Sequence, residues 1–445
     1  MSGTFDIEAE RMLLTARVEE AIALAQRNGA TACEVAASAS QDMDVSVRKG
    51  EVDTLSQSRD QYIGVTVYRG QRKGSASTSD VRPEAILATV EKACDIARFT
   101  EQDSAAGLAD ATLMAHELPD MDQYHPWQIT PEHAIAQAQM CEEAGLSIEG
   151  IRNSEGASCS TSSAAAVYGN SHGFIGSQQR TSHGLSCVLI AGEGDGMQRD
   201  YEYTSARDPR QLVDARLIGQ RAAEKTLARL GGRRPQTGRY PIIMAPAMAR
   251  TLAGHFISAI AGGALFREAS FLHGALGEQI FPEWFTLLEQ PQLRGALASS
   301  AFDSEGVYTR DNRFIEQGTL ASYMLSSYSA RRLNMVTTGN AGGARNLRIQ
   351  APQTSFDALV GQIDKGILVT ELMGQGINTV TGDYSRGAAG FWIENGKVAY
   401  PVENFTIAGN LREMFRGLQA IGDDIDSRSN LHTGSWLLDD MTIAS

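Results

Sequence analysis

The chain has 445 residues, 42% of them hydrophobic and 21% charged, which is room for two or three domains with the composition of an ordinary globular protein. Its 53 acidic residues outweigh 39 basic ones, and a formal charge of -14 argues against nucleic acid or an anionic membrane as partner. No run of about eighteen apolar residues could span a bilayer, and no basic-then-apolar leader opens the chain, so the expected location is the cytoplasm.

The first predicted element is a helix from Glu8 to Asn28, with Met12, Leu13, Ala16, Ala21, Ile22 and Ala25 at helical spacing and Gly29 to end it. Strand-like runs follow at 34–37, 44–48 and 63–68, separated by turns at Lys49-Gly50 and 69–74. Pro83 occupies a permitted first-turn position of a second helix that runs to Phe99. Residues 100–130 are polar and punctuated by proline, the pattern of a crossover loop. A helix from Thr130-Pro131 to Leu146 comes next, then strands at 164–168, 185–191 and 201–203, then a helix over 209–230. The Gly- and Arg-rich stretch 231–238 reads as a domain linker, and Arg229, Arg233, Arg234 and Arg239 in and beside it as a solvated cluster. Beyond it lie a short strand at 242–245, an apolar helix over 246–261 and mostly short strands. The expectation is an α+β protein: an N-terminal helix/sheet domain over 1–235, with an internal break near 100–130, and a strand-rich C-terminal domain over 236–445 with one packed apolar helix. No strong internal repeat is visible.

Residues 366–410 carry the densest local signals. An apolar run at Ile367 reads as a buried strand, and Glu394-Asn-Gly396 between apolar alternations reads as a hairpin turn. The Gly-rich part between them predicts either an exposed, pliable rim bearing Asp383, Tyr384, Ser385 and Arg386, or a tight corner with no ligand. The five cysteines, Cys33, Cys94, Cys141, Cys159 and Cys187, form no C-x-x-C pair and read as buried thiols.

Several strings resemble catalytic motifs without completing them. Gly169-Asn-Ser-His-Gly173 has the G-x-S-x-G spacing of a nucleophile elbow, yet a hairpin is expected around Ser171, where the elbow needs a helix. His116-Glu117 lacks a second histidine for a zinc helix, and Gly374-Gln-Gly376 lacks the rest of a dinucleotide fingerprint. His172 and His183 read as solvated turn residues, and His255, alone on the apolar helix, has no carboxylate within a turn.

Stretches over nearly the whole length resemble the TldD/PmbA family of metalloproteases, in its PmbA (TldE) branch. They include 63–68, 72–77, 168–173, 199–201, 302–307, 326–331, 382–387 and 406–410. The resemblance implies a two-subunit peptidase acting on small or unfolded peptides. Its TldD-type subunit holds zinc through an H-E-x-x-x-H helix and a cysteine near the C-terminus. In this chain the motif positions fall at Ile257, Ser258 and Gly262, and the neighbourhood of the cysteine holds His432, so no metal is expected here. The implied role is a zinc-free subunit that pairs with a TldD-type partner and walls the substrate channel around Asp383–Arg386, with a homodimer possible when the partner is missing. A regulatory homodimer and a metal-independent hydrolase using Ser171 are the competing readings.

Overall fold

In the computed structural model, which describes residues 5–445, the N-terminal half is built twice on one plan. First come α1 (Ile7–Arg27), β1 (Ala32–Arg48), β2 (Glu51–Arg69), β3 (Arg72–Thr78) and α2 (Pro83–Phe99). Then come α3 (Pro131–Leu146), β4 (Ile151–Asn170), β5 (Ile175–Ala191), β6 (Gln198–Ala206) and α4 (Ala215–Ala228). A helix, a three-stranded meander and a helix thus recur without a matching sequence repeat, because a unit of this kind needs only its apolar alternation and not particular residues.

The two meanders join through β1 and β4 into one antiparallel sheet of order β3-β2-β1-β4-β5-β6. Odd-numbered positions of β1 face the helices: Val35, Ala37 and Ala39 pack under α1 and α2, while Met43, Val45 and Val47 pack under α3 and α4. The strands run longer than the apolar runs predicted. β1 has 17 residues, and its polar middle at Ser40–Asp42 continues the ladder without adding apolar signal. The helix expected from Pro209 starts instead at Ala215, where Asp214 caps it; Pro209–Gln211 forms a separate 3-10 turn. All five cysteines are free and buried, and burial raises the Cys33 and Cys159 thiols to about 11 and about 12, which leaves them unreactive.

The C-terminal half contains β7 (Gly238–Met244), α5 (Pro246–Ala259), α6 (Gly262–Leu265), β8 (Thr286–Glu289), β9 (Asn312–Glu316), β10 (Thr319–Leu320) and α7 (Ser327–Arg332). It continues with β11 (Leu347–Gln350), β12 (Gln353–Thr354), α8 (Phe356–Gly361), β13 (Lys365–Met373), β14 (Asp383–Glu394) and β15 (Lys397–Asn410). It ends with α9 (Leu411–Arg416), β16 (Leu418–Gly422), β17 (Leu431–His432) and β18 (Trp436–Ala444). β7, β13, β14, β15 and β18 pair in that order and β18 returns to β7, which closes a five-stranded ring. β13 is buried on both faces: Ile367 and Val369 meet the α5 side, and Leu368 meets α8. Asn395 and Gly396, with φ of 51° and 71°, form the hairpin turn between β14 and β15. A second sheet, of order β10-β9-β8-β11-β17, flanks the ring.

The linker is pinned. Arg233 exchanges backbone hydrogen bonds with Pro401 and Glu403, and its guanidinium lies 4.7 Å from the Tyr400 ring centroid. Arg229 pairs with Asp200 and Glu371, and Arg239 donates to the Asp440 carbonyl. The solvated cluster expected from the sequence therefore acts in part as a fastening between halves.

Two glycines in helices separate packing from propensity. A Cβ on Gly219 of α4 would stand 1.9 Å from the Cys141 carbonyl oxygen of α3, whereas one on Gly254 of α5 meets nothing within 4 Å. Gly219→Ala is expected to cost about 1–3 kcal/mol through overpacking. Gly254→Ala is expected to add roughly 0.5–1 kcal/mol through helix propensity. Urea unfolding of both variants checks the pair.

Candidate functional site

α5 begins at Pro246 and buries Ala249, Leu252, Ala253, Phe256 and Ala259 in the C-terminal core. Its open stripe is made of small residues: Gly254 has free space beside it, and the Ser258 hydroxyl turns back to the Gly254 carbonyl at 2.9 Å. His255 lies between the two faces. Its ring meets Tyr384 edge-on, with centroids 6.3 Å apart and planes at 67°.

The four residues expected on a rim divide by strand alternation in β14. Asp383 and Ser385 are exposed, but Tyr384 is 2% exposed and Arg386 is half-buried. Tyr384 therefore belongs to the core, against the expectation of a uniformly exposed rim. Asp383 accepts the Thr381 hydroxyl at 2.7 Å and the Asn410 amide at 3.3 Å. Gly376 before it packs tightly: the Ser385 N–H donates to the Gly376 carbonyl at 2.7 Å, and a Cβ on Gly376 would fall 1.8 Å from the Ser385 oxygen.

His255 Nε2, Tyr384 Oη and Arg386 Nε are all buried without a hydrogen-bond partner. Burial pushes the His255 pKa down, and the neighbouring Arg386 charge pushes the same way. Burial raises the Tyr384 phenol to about 12, against the pull of Arg386. At neutral pH the group is thus a neutral imidazole, a neutral phenol and a guanidinium. It can donate hydrogen bonds to an oxygen, but it contains no nucleophile paired with a base.

The positions that the resemblance pairs with the zinc motif do not fit a zinc ion. Ile257 has no donor atom, and the Ser258 hydroxyl is engaged by its own helix. A Cβ on Gly262 would lie 2.2 Å from Ser329 Oγ and 2.5 Å from Ser329 Cβ, so the room for an imidazole is taken. His432 sits in β17 opposite Arg348, a few residues from Asp426, which binds Arg250 near the other end of α5. Among the described residues no group of three or more His, Cys, Asp or Glu side chains could hold a metal ion. The remaining motif residues are also separate. Ser171 lies in the β4–β5 turn, with its Oγ accepting the Cys33 N–H at 3.0 Å. The rings of His172 and His183 bond the Ala109 and His125 carbonyls at 3.1 and 2.9 Å.

A second convergence joins the halves. Tyr68 and Tyr168 both donate to Glu34, at 3.0 and 2.9 Å, and burial raises the Glu34 pKa. The Tyr168 ring leads to Phe174 and then to Phe302, with centroids 6.1 and 5.3 Å apart. Next to Phe302, Asp303 accepts the N–H groups of Glu305, Val307 and Ala341 at 2.8, 3.0 and 2.9 Å. Burial, helped by the Glu305 charge, lifts its pKa to about 7 despite those three donors. Arg331 of α7 donates to the carbonyls of Ala105, Gly107 and Leu108 in the crossover loop.

Comparison with known proteins gives this fold a family. Residues 33–97, 124–230 and 237–445 match, in turn, domain 1, the central domain and the C-terminal domain of the PmbA/TldA metallopeptidases. The metalloprotease PmbA of Escherichia coli O157:H7 is 45% identical over 439 residues, 98% of this chain and 97% of that one. The chain belongs to the PmbA/TldD family. Among solved structures, a Bacteroides thetaiotaomicron protein described as a candidate modulator of DNA gyrase superposes with a TM-score of 0.92 at 29% identity. That match covers 97% of this chain and 98% of the other. TldE from Thermococcus kodakarensis shares the fold, with a TM-score of 0.82 at 22% identity over 96% and 100% of the two chains.

Two features of this PmbA/TldD chain escaped the sequence. The pairing of His255 with Tyr384 needs the α5–β14 contact, and the Glu34–Tyr68–Tyr168 triad joins strands whose residues are distant in the chain. Replacing Tyr384 by Phe removes a buried hydroxyl that has no partner. Its unfolding free energy is therefore expected to stay level or rise, where loss of a satisfied hydroxyl costs about 1 kcal/mol. For Asp303 the folded pKa of about 7 exceeds the ordinary aspartate value of 3.8, so the native state holds more protons between those limits. Stability from this group is present at low pH and is lost as pH rises towards 7. Denaturant titrations across that window should show the slope in the native protein and not in Asp303→Asn.

Proposed function

We propose that this chain is the zinc-free subunit of a two-subunit PmbA/TldD-type peptidase. It pairs with a TldD-type subunit that holds the metal, and it walls the channel by which small or unfolded peptides reach that metal. The observation that carries the reading is the occupied space at Gly262, where Ser329 lies against the backbone that would have to bear a ligand. Its relatives are named metalloproteases, so the reaction belongs to the family while the ligand set of this chain does not.

The exposed pair Asp383 and Ser385 at the start of β14, together with the open stripe of α5, forms the wall in this reading. An extended peptide would be held there through main-chain hydrogen bonds that tolerate many side chains, and a folded protein would be excluded by size. The buried free thiols suit a cytoplasmic setting. No helix is long and apolar enough to cross a membrane among the described residues. Without its partner the chain would self-associate through the same family interface, as a two-fold dimer.

Mixing the purified chain with a TldD-type subunit is expected to give a peptidase that chelators abolish, with one subunit of each kind by light scattering. The chain alone is expected to be inert and to contain no stoichiometric zinc by elemental analysis. Zinc-dependent cleavage by the chain alone would falsify the division of labour. A mixture no more active than the TldD-type subunit by itself would favour a purely regulatory role.

A further inference from the structure

The face of the N-terminal sheet turned away from the helices meets the segments 297–304 and 344–345 across a cleft of about 500 Å³. That volume is in the range of small-ligand sites, about 300–1,000 Å³. Its floor follows one rung across four strands: Tyr62 pairs with Ser38, Ser38 with Ala166, and Ala166 with Gln178. Small side chains at the two middle positions leave the hollow, and larger ones at either end wall it.

Three arginines line this hollow: Arg180, Arg207 and Arg345. None pairs with a carboxylate among the described residues, although acidic residues outnumber basic ones in the chain. Arg207 donates to the carbonyls of Thr181 and Leu297, and its Nε is buried with no partner. Arg345 reaches the Gly343 carbonyl of its own loop at 2.9 Å. The acid in the lining, Asp303, has both oxygens turned to backbone N–H groups. Burial and the nearby Arg180 charge lower the Arg207 pKa to about 10, so the two cations are close enough to repel one another. Guanidinium forks match a carboxylate in shape as well as charge.

We propose that this interdomain cleft binds the terminal carboxylate of an extended peptide, with Arg180 and Arg207 as its cationic clamp and the Ser38–Ala166 floor admitting the small side chains beside it. The proposal rests on the peptide-handling role above and adds which end of the peptide this subunit recognises.

Fluorescence anisotropy on the full chain tests it with an N-terminally labelled alanine hexapeptide, as the free acid and as the C-terminal amide. The acid is expected to bind at least about tenfold more tightly, as for hydrogen bonds to a charged group. Raising the salt concentration should narrow the gap. Because Arg207 also ties Thr181 to Leu297, its variants could fail to fold; Arg180→Gln, at an exposed position with no protein hydrogen bond, keeps the test decisive. That variant should lose most of the acid preference, and Ala166→Leu, which fills the floor, should weaken both peptides. Equal binding of acid and amide overturns the proposal. So does inorganic phosphate displacing both peptides alike, which would assign the cleft to phosphate. If the mixed peptidase works but acid and amide bind equally, only this inference falls. If the acid preference holds but mixing gives no activity, only the subunit reading falls.

Discussion

The antiparallel union of β1 with β4 is the constraint from which the N-terminal half follows. Fourteen consecutive rungs, from Glu34↔Asn170 to Val47↔Ala157, hold the two meanders in one register. With a period of two, that register sends the apolar odd positions of β1 towards the helices and the even ones to the opposite face of the sheet. A slip of one residue would bury Ser38 and Ser40 and expose Val35 and Val45. The same union makes one continuous surface of small and polar side chains, against which the C-terminal half is laid. The interdomain cleft and the Glu34 triad both depend on it.

The joint between the halves combines an apolar cluster around Phe174 and Phe302 with polar groups that satisfy one another. Lys225 and Arg428 share Glu202; Arg428 and Arg250 share Asp426. Glu202 and Asp426 are mostly shielded from solvent, so these contacts are screened less than surface pairs, although desolvation opposes part of their gain. Against this background the buried atoms of His255, Tyr384 and Arg386 that have no partner, and the arginines without carboxylates in the cleft, stand out as groups the fold leaves available.

Much of the architecture could be read from the chain because its cues are local. Pro83, Pro131 and Pro246 each open a helix where expected, and the Asn395-Gly396 turn sits where apolar alternation placed it. What was hidden is what depends on distance. The outer parts of β1 and β2 carry Ser, Gln and Asp on a solvated face, so their length left no apolar trace. The duplicated helix–meander–helix plan was invisible because it conserves a pattern and not residues. The rim residues were located but not oriented: which of Asp383 and Tyr384 faces inward is set by the partner strand and by α5. That Ile257, Ser258 and Gly262 differ from the residues of the zinc motif could be read from the chain, whereas the packing of Ser329 against Gly262 could not.

The ring of the C-terminal half is shut by pairing between its first and last strands, β7 and β18, with Met244 opposite Trp436 and Gly238 opposite Ile443. These partners are roughly two hundred residues apart, a large closure entropy to meet before the contact is made. During synthesis one edge of β7 must therefore stay unpaired until the final strand has left the ribosome. The N-terminal half has no such debt, since β4 to β6 can add to a finished first meander. Vectorial synthesis would leave this protein with one half assembled and the other collapsed but open, the interval in which a chaperone has most to offer.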